Sequence, residues 1–386
     1  MSAAARAPVR DATGRAARPR YPCFEGLRAI AACSVLVHHV ASFSGADLGT
    51  SAGYVYAHLD IGVTIFFLLS GFLLYRPRVV AHLRGEREPA LGTYLLRRAA
   101  RLVPAYWVAL TFFILIGAIH PHGYGDYLAY YGFAQIYWRA RALGGMVPAY
   151  SLAIEVSFYV FLPFYSAVLR RFASVGAELA GVGVLYATGL TTHALLLATH
   201  SQPTIATNWL PAQIDLFALG MGLAVVSAWS VERGVVPALF AAAGRRPAVC
   251  WAIAAGAFLL SATALGLPRG FGNLPKAGEM ERQVLYAATA LFLILPAVFG
   301  AQDEGLIRGV LRSRPAQLLG LISYGIFLWH YDWLIKLQQW GTIAALGHFR
   351  FLALLVITLG LAVASATVSW RVVERPVLRL AHGARP

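Results

Sequence analysis

Apolar stretches of roughly 18–22 residues recur along the whole chain, and nothing else in it narrows the fold as much. A run of that length rises about 30 Å as a helix, the thickness of a bilayer's hydrocarbon core. In hydrocarbon every backbone N–H and C=O must be satisfied within the protein, so such runs cross as helices. Only 13% of the 386 residues are charged, against about 25% in soluble domains. The sequence therefore predicts an all-α, polytopic membrane protein of about ten spans. They fall at 25–44, 55–75, 102–119, 150–169, 177–198, 211–231, 248–267, 283–300, 317–338 and 351–371. The segment 127–138, YLAYYGFAQIYW, is apolar and aromatic but too short to cross. It is expected to be interfacial or re-entrant, with its Tyr and Trp at headgroup depth.

A formal net charge of +15 fits nucleic-acid binding as well as membrane topology, so its distribution decides. With the N-terminus inside, 24 of the 32 basic residues fall on the cytoplasmic side and seven outside, with Arg28 in the first span. That is the positive-inside asymmetry. It predicts both termini in the cytoplasm, with membrane lipids rather than nucleic acid as the partner of the positive charge. Residues 1–23, rich in Arg and Ala and without an apolar signal-peptide core, read as a disordered basic tail. Residues 24–374 read as the transmembrane domain, and 375–386 as a second basic tail. Cys23, Cys33 and Cys250 give neither a disulfide framework nor metal-ligand spacing, and no metal is expected.

Chemistry concentrates in a few spans. The first, FEGLRAIAACSVLVHHVASFS, carries Arg28 and His39 eleven residues apart. Eleven helical steps return to within about 20° of the starting face after a rise of about 16 Å. The two side chains thus share a face at different depths, and ionisable groups inside a span mark function by default. Arg97, Arg98 and Arg101 enter the third span. Read alone, they fit anionic lipid headgroups or a phosphorylated ligand held by guanidinium forks. Glu155, flanked one turn either side by Ser151 and Tyr159, lies at the depth of His39, where a carboxylate would orient an imidazole. In the ninth span Ser323 and His330 are seven apart on one face. His330 is flanked by Trp329, Tyr331 and Trp333, as in an interfacial aromatic belt. Ser70-Gly71 in the second span suits close helix packing. Nucleotide-binding, serine-hydrolase and zinc motifs are absent.

Several signatures appear together and in order: GLRAIAACSVLVHH, FFLLSGFLL, RRAARLVPAYW, SLAIEVSFY, LISYGIFLWH and VERP. With them the chain resembles the acyltransferase 3 family, bacterial membrane enzymes that O-acylate surface glycans and some antibiotics. It departs from the family pattern at Tyr150, where Trp is usual, and at Val156, where a polar residue is common. An SGNH esterase-like domain, carried by some members, is not expected here. The resemblance implies a multi-pass protein of the bacterial plasma membrane with no permanently bound cofactor. Acyl-coenzyme A would be the co-substrate, and the acceptor a glycan, glycolipid or secondary-metabolite hydroxyl. It implies His39 as catalytic base oriented by Glu155, with Arg28, Arg97, Arg98 and Arg101 holding acyl-CoA. Ser70, Tyr159, Ser323, Tyr324 and His330 are further site-lining candidates. A transporter or flippase of an acylated glycan or lipid is the alternative from another class. The lack of an internal repeat argues against it.

Overall fold

The computed structural model describes residues 21–383 except 50, 143, 173, 200–204 and 265–275. Among these residues there is no strand. Eight helices are long and apolar enough to cross a membrane, and two bent pairs bring the number to ten if each counts as one span. The chain is a multi-pass membrane protein. Its principal helices are α1 (Phe24–Ser44), α2 (Gly62–Arg84), α3 (Leu91–Leu115), α4 (Ala149–Leu169) and α5 (Val175–Thr199). They continue with α6 (Leu210–Arg233), α7 (Pro247–Leu259), α8 (Lys276–Val298), α9 (Ser323–Gln339) and α10 (Arg350–Ser369).

The bent pairs have a local origin. Ala238–Arg245 meets the α7 segment at 89°. The residue between them, Arg246, stands before Pro247 and is held out of the helical region at φ −120° and ψ 59°. Arg314–Leu321 meets α9 at 67°, with Ile322 between them at φ −100° and ψ 9°. The second break places Ser323 at the first turn of α9.

Helices α2 and α6 form the centre of the bundle. Gly71 of α2 and Gly220 of α6 bring the two backbones together reciprocally. A Cβ on Gly71 would lie 2.2 Å from the Phe217 carbonyl oxygen, and one on Gly220 would lie 2.0 Å from that of Leu68. This is the close packing expected at Ser70-Gly71. Beside it Phe67, Phe217 and Phe158 stack in series, with ring centroids 4.6 and 4.2 Å apart.

Several boundaries differ from those read in the sequence. The second span, read at 55–75, lies within the longer apolar stretch Gly53–Arg84, whose main helix α2 begins at Gly62. A short helix, Gly53–Ala57, and a turn, Leu59–Ile61, precede it. The third starts at Leu91, not 102, because LGTYLLRRAARL combines strong helix formers with too much charge to read as apolar. Pro104 is interior to α3. Residues 127–138 are a short helix, Tyr124–Tyr131, followed by a turn at Gln135–Tyr137. Tyr106 Oη and Trp107 Nε1 tether this segment through the Tyr130 and Tyr131 carbonyls, at 2.8 and 2.9 Å.

The expected N-terminal tail lies outside the described residues up to residue 20. Its last part is not a tail, since Cys23 is fully buried and Tyr21 Oη bonds Ser227 Oγ at 2.8 Å. Residues 375–383, read as part of a basic tail, are helical. They continue α10 through a π-helical turn into the helix Arg375–Gly383.

The link between α2 and α3 is fastened by a buried polar network. His82 lies between the carboxylates of Glu178, at 2.5 Å, and Glu88, at 2.6 Å. Ser166 Oγ donates to Glu88 at 2.8 Å, Arg78 pairs with Glu88, and Tyr75 donates to Glu178. Burial works against a charged Glu88. Hydrogen bonds from His82 and Ser166, with the Arg78 guanidinium, nevertheless hold its carboxyl below the usual glutamate range. The network fixes where α3 begins, and with it the arginines α3 carries.

Candidate active site

Five helices enclose a narrow internal shaft. Along α2 it runs from Val63 to Leu74, eleven residues or about 16 Å of helix rise. At one end stand three guanidiniums, Arg28 from α1 and Arg98 and Arg101 from α3. Midway, Glu155 and Tyr159 of α4 face Ser70 of α2. Ser323, Tyr324 and Phe327 of α9 complete the wall. The enclosed volume is about 70 Å³, room for a few water molecules. An extended cofactor-sized ligand enters only if the helices part or if a slender portion of it is threaded.

Glu155 is held from two sides. Its Oε1 accepts from Ser70 Oγ at 2.6 Å and from Tyr159 Oη at 2.7 Å. Tyr324 Oη donates to the Leu102 carbonyl at 2.8 Å, which ties α9 to α3 beside the arginines. Arg28 pairs loosely with Glu25 at 3.5 Å. Arg98 Nε is buried without a hydrogen-bond partner among the described residues. A buried donor left unmade costs about 1–3 kcal/mol or more when charged, so this end of the shaft is primed for an anionic guest. Of the residues that line the shaft, Glu155 is the one carboxylate beside three guanidiniums, with Glu25 only loosely paired to Arg28 from outside the lining, so this end is electropositive. Arg97, grouped with them from the sequence, is exposed and outside the shaft. It stands about 100° around the helix from Arg98, which turns its side chain away from the wall.

His39 and His330 form a pair of their own. His330 Nε2 lies 3.0 Å from His39 Nδ1, which is also 3.0 Å from the Val35 carbonyl. His330 Nδ1 lies 3.1 Å from the Ile326 carbonyl. A carbonyl only accepts, so in the neutral pair His330 carries its proton on Nδ1 and offers the Nε2 lone pair. His39 Nδ1–H then donates to that lone pair and to Val35, which leaves the lone pair of His39 on Nε2. That nitrogen makes no hydrogen bond among the described residues, and the ring is half-buried. The backbone thus selects, through His330, the tautomer in which His39 Nε2 acts as a base.

The pair sits behind the shaft wall. Phe327, which lines the shaft, has its ring centroid 5.9 Å from that of His330 and 5.9 Å from that of Phe66, another lining residue.

Measured against the sequence reading, eight of the candidate side chains line one shaft: Arg28, Ser70, Arg98, Arg101, Glu155, Tyr159, Ser323 and Tyr324. The expected Glu155–His39 contact is absent. Glu155 bonds Ser70 and Tyr159, and the partner of His39 is His330. The expected depth is also wrong: Gly62 packs against Val35 and Phe72 against Phe24, so Ser70 and the Glu155 carboxylate it holds lie at the level of Arg28, far from His39. Nor is His330 a residue of an exposed aromatic belt, since it is fully buried. The seven-residue spacing from Ser323 was the signal that pointed inward. His82, to which the sequence lent no role, is part of the network that sets the start of α3.

Residues 21–368 match the acyltransferase domain family, and the chain belongs to it. It is 25% identical to the acyltransferase MdmB of Streptomyces mycarofaciens, over 95% of this chain and 94% of that one. It is 23% identical to Nodulation protein 10 of Rhizobium leguminosarum bv. viciae, over 92% and 93%. It is also 26% identical to the peptidoglycan O-acetyltransferase OatA of Listeria monocytogenes, over 83% of this chain but 50% of that protein. The chain thus matches about half the length of that relative. No solved structure matches it.

Proposed function

We propose that this member of the acyltransferase family is a membrane O-acyltransferase. It takes an acyl group from acyl-coenzyme A on the arginine side of the membrane. It delivers the group to a hydroxyl of a carbohydrate-bearing acceptor on the His39 side. The observation that carries the reading is the shaft itself, about 16 Å of apolar and hydroxyl-lined passage with three guanidiniums at one end. Guanidiniums bind phosphates through paired, charge-assisted hydrogen bonds, and a slender thioester arm is the portion of the donor that such a passage accepts. The surplus of basic residues on the Arg28 side of the chain supports a cytoplasmic placing of that side, where acyl-CoA is found. The curated relatives, an acyltransferase and a peptidoglycan O-acetyltransferase among them, support the reaction class and a glycan acceptor.

In this mechanism the acceptor oxygen attacks the thioester carbonyl. A new C–O ester bond forms, and the C–S bond breaks as the tetrahedral intermediate collapses. His39 Nε2 removes the hydroxyl proton and returns it to the departing thiolate. A positioned base of this kind contributes roughly 10²–10⁴ in rate. Glu155, fixed by Ser70 and Tyr159, serves as the counter-charge that keeps the three guanidiniums together between turnovers.

The test is release of free coenzyme A thiol by purified protein supplied with acetyl-CoA and envelope glycan. His39→Ala is expected to insert and fold normally yet lose turnover by at least two orders of magnitude. Near-wild-type release by that variant would refute the assignment of the base. A transporter would release no thiol.

A further inference from the structure

A second polar cleft opens at the opposite end of the shaft from the arginines. Its walls come from the start of α2, the start of α4, the turn Ile205–Asn208 with the first turns of α6, and α8. Asp60, Tyr150, Asn208, Gln213, Arg282 and Tyr286 all reach into it. It shares two lining residues with the shaft, Val63 and Phe67. These are one helical turn apart and on one face of α2, so a single layer of side chains separates the two spaces. Gly62, immediately before this layer, packs against Val35 of α1, one turn below His39. The cleft therefore adjoins both the end of the shaft and the level of the histidine pair.

We propose that this cleft is the acceptor site, and that its guest is the neutral, polyhydroxylated face of a sugar. The inference rests on the acyl-transfer reading above. The cleft's chemistry is that of hydroxyl recognition. Asp60 accepts from Tyr286 Oη at 2.6 Å through Oδ1 and meets Arg282 loosely at 3.7 Å through Oδ2. The rest of the guanidinium is engaged by Glu279 at 2.8 Å. A carboxylate in a loose pair keeps acceptor capacity for vicinal hydroxyls. The side chains of Tyr150 and Asn208 make no hydrogen bond among the described residues, and Gln213 uses its amide nitrogen on the Thr207 carbonyl at 2.9 Å. The wall thus offers carboxylate, amide and phenol groups together, the combination that pairs with groups able both to donate and to accept. Arg282 already has two carboxylates about it, which disfavours an anionic guest. The volume, about 80 Å³, receives the edge of one ring. Rotation of Phe67 away from its stack on Phe217 would then bring a ring hydroxyl to the thioester.

The experiment uses the full chain in lipid nanodiscs with the N-acetylglucosamine tetramer as probe and acetyl-CoA as donor. Wild type, Asn208→Ala and Asp60→Asn are compared for probe binding without donor and for acceptor and donor KM. Expected is at least a tenfold loss of probe affinity and a matching rise in acceptor KM in both variants, with donor KM unchanged. Asn208→Ala removes a side chain that makes no hydrogen bond among the described residues, so it tests the site even if Asp60→Asn fails to fold. Probe affinity unchanged in Asn208→Ala, or no binding by wild type, overturns the proposal. Thiol release that is indifferent to both variants refutes the cleft while leaving acyl transfer intact. Probe binding through the cleft without any thiol release refutes acyl transfer while leaving the cleft.

Discussion

Among the described residues the ring of His330 makes its hydrogen bonds only with His39 and the Ile326 carbonyl, so its replacement isolates the tautomer lock from the polar groups of the shaft. In the resting pair the bond between His39 Nδ1–H and His330 Nε2 joins neutral groups and contributes about 0.5–1.5 kcal/mol. When His39 takes the acceptor's proton the same N–H belongs to an imidazolium. The bond becomes charge-assisted and is worth about 1.5–3 kcal/mol. His330→Ala loses the bond in both states, so kcat falls only by the difference, about 1–1.5 kcal/mol, or about 5- to 13-fold at 1.36 kcal/mol per decade. Donor KM should not move, because the phosphate-binding guanidiniums stand at the other end of the shaft. His330→Gln can present an amide oxygen to His39 Nδ1–H and should recover part of the loss, which a merely space-filling residue would not show. The measurement is initial-rate thiol release against acetyl-CoA concentration for both variants and for His39→Ala/His330→Ala. The double variant should be no slower than His39→Ala alone, because a residue acting through another adds nothing once that other is gone. A kcat within twofold of wild type in His330→Ala, or a rise in donor KM with kcat intact, would refute the reasoning.

Other consequences follow from the same geometry. Arg98→Ala and Arg101→Ala should each raise donor KM about tenfold or more, as expected for losing a charged hydrogen bond worth about 1.5–3 kcal/mol, whereas Arg97→Ala should leave it within twofold. A donor KM equally sensitive to all three would mean that surface charge rather than the shaft binds the donor. Gly71→Leu drives a side chain into the Phe217 carbonyl and should abolish a cooperative melt in detergent, while the neighbouring Ser70→Ala should fold and lose activity through Glu155. Glu88 has a folded-state pKa below its unfolded value of about 4.5, so its contribution is complete above that pH and is lost as pH falls through the folded value. The melting temperature of wild type should therefore drop below about pH 4.5 more steeply than that of Glu88→Gln, and parallel acid limbs would refute this role.

The sequence alone was sufficient for the architecture, because the constraint is one-dimensional. A run of apolar residues long enough to cross hydrocarbon has one way to satisfy its backbone. Such periodicity also placed Arg28 and His39 on one face and Ser323 and His330 on another, since each pair lies within a single helix. It misjudged the start of α3, where RRAARL is amphipathic rather than apolar and hydropathy does not register a helix. It also favoured Glu155 over His330 as the partner of His39. Steps along one helix can be counted from sequence, but how two helices are offset and which way they face is set by packing, which puts Glu155 at the level of Arg28. Here Gly71 and Gly220 press α2 against α6, and the break at Ile322 turns α9 so that His330 meets α1. The cleft of Asp60, Tyr150, Asn208 and Arg282 lies furthest beyond sequence reading. Its members come from four separated stretches and share no spacing, so only the folded bundle brings them to one wall.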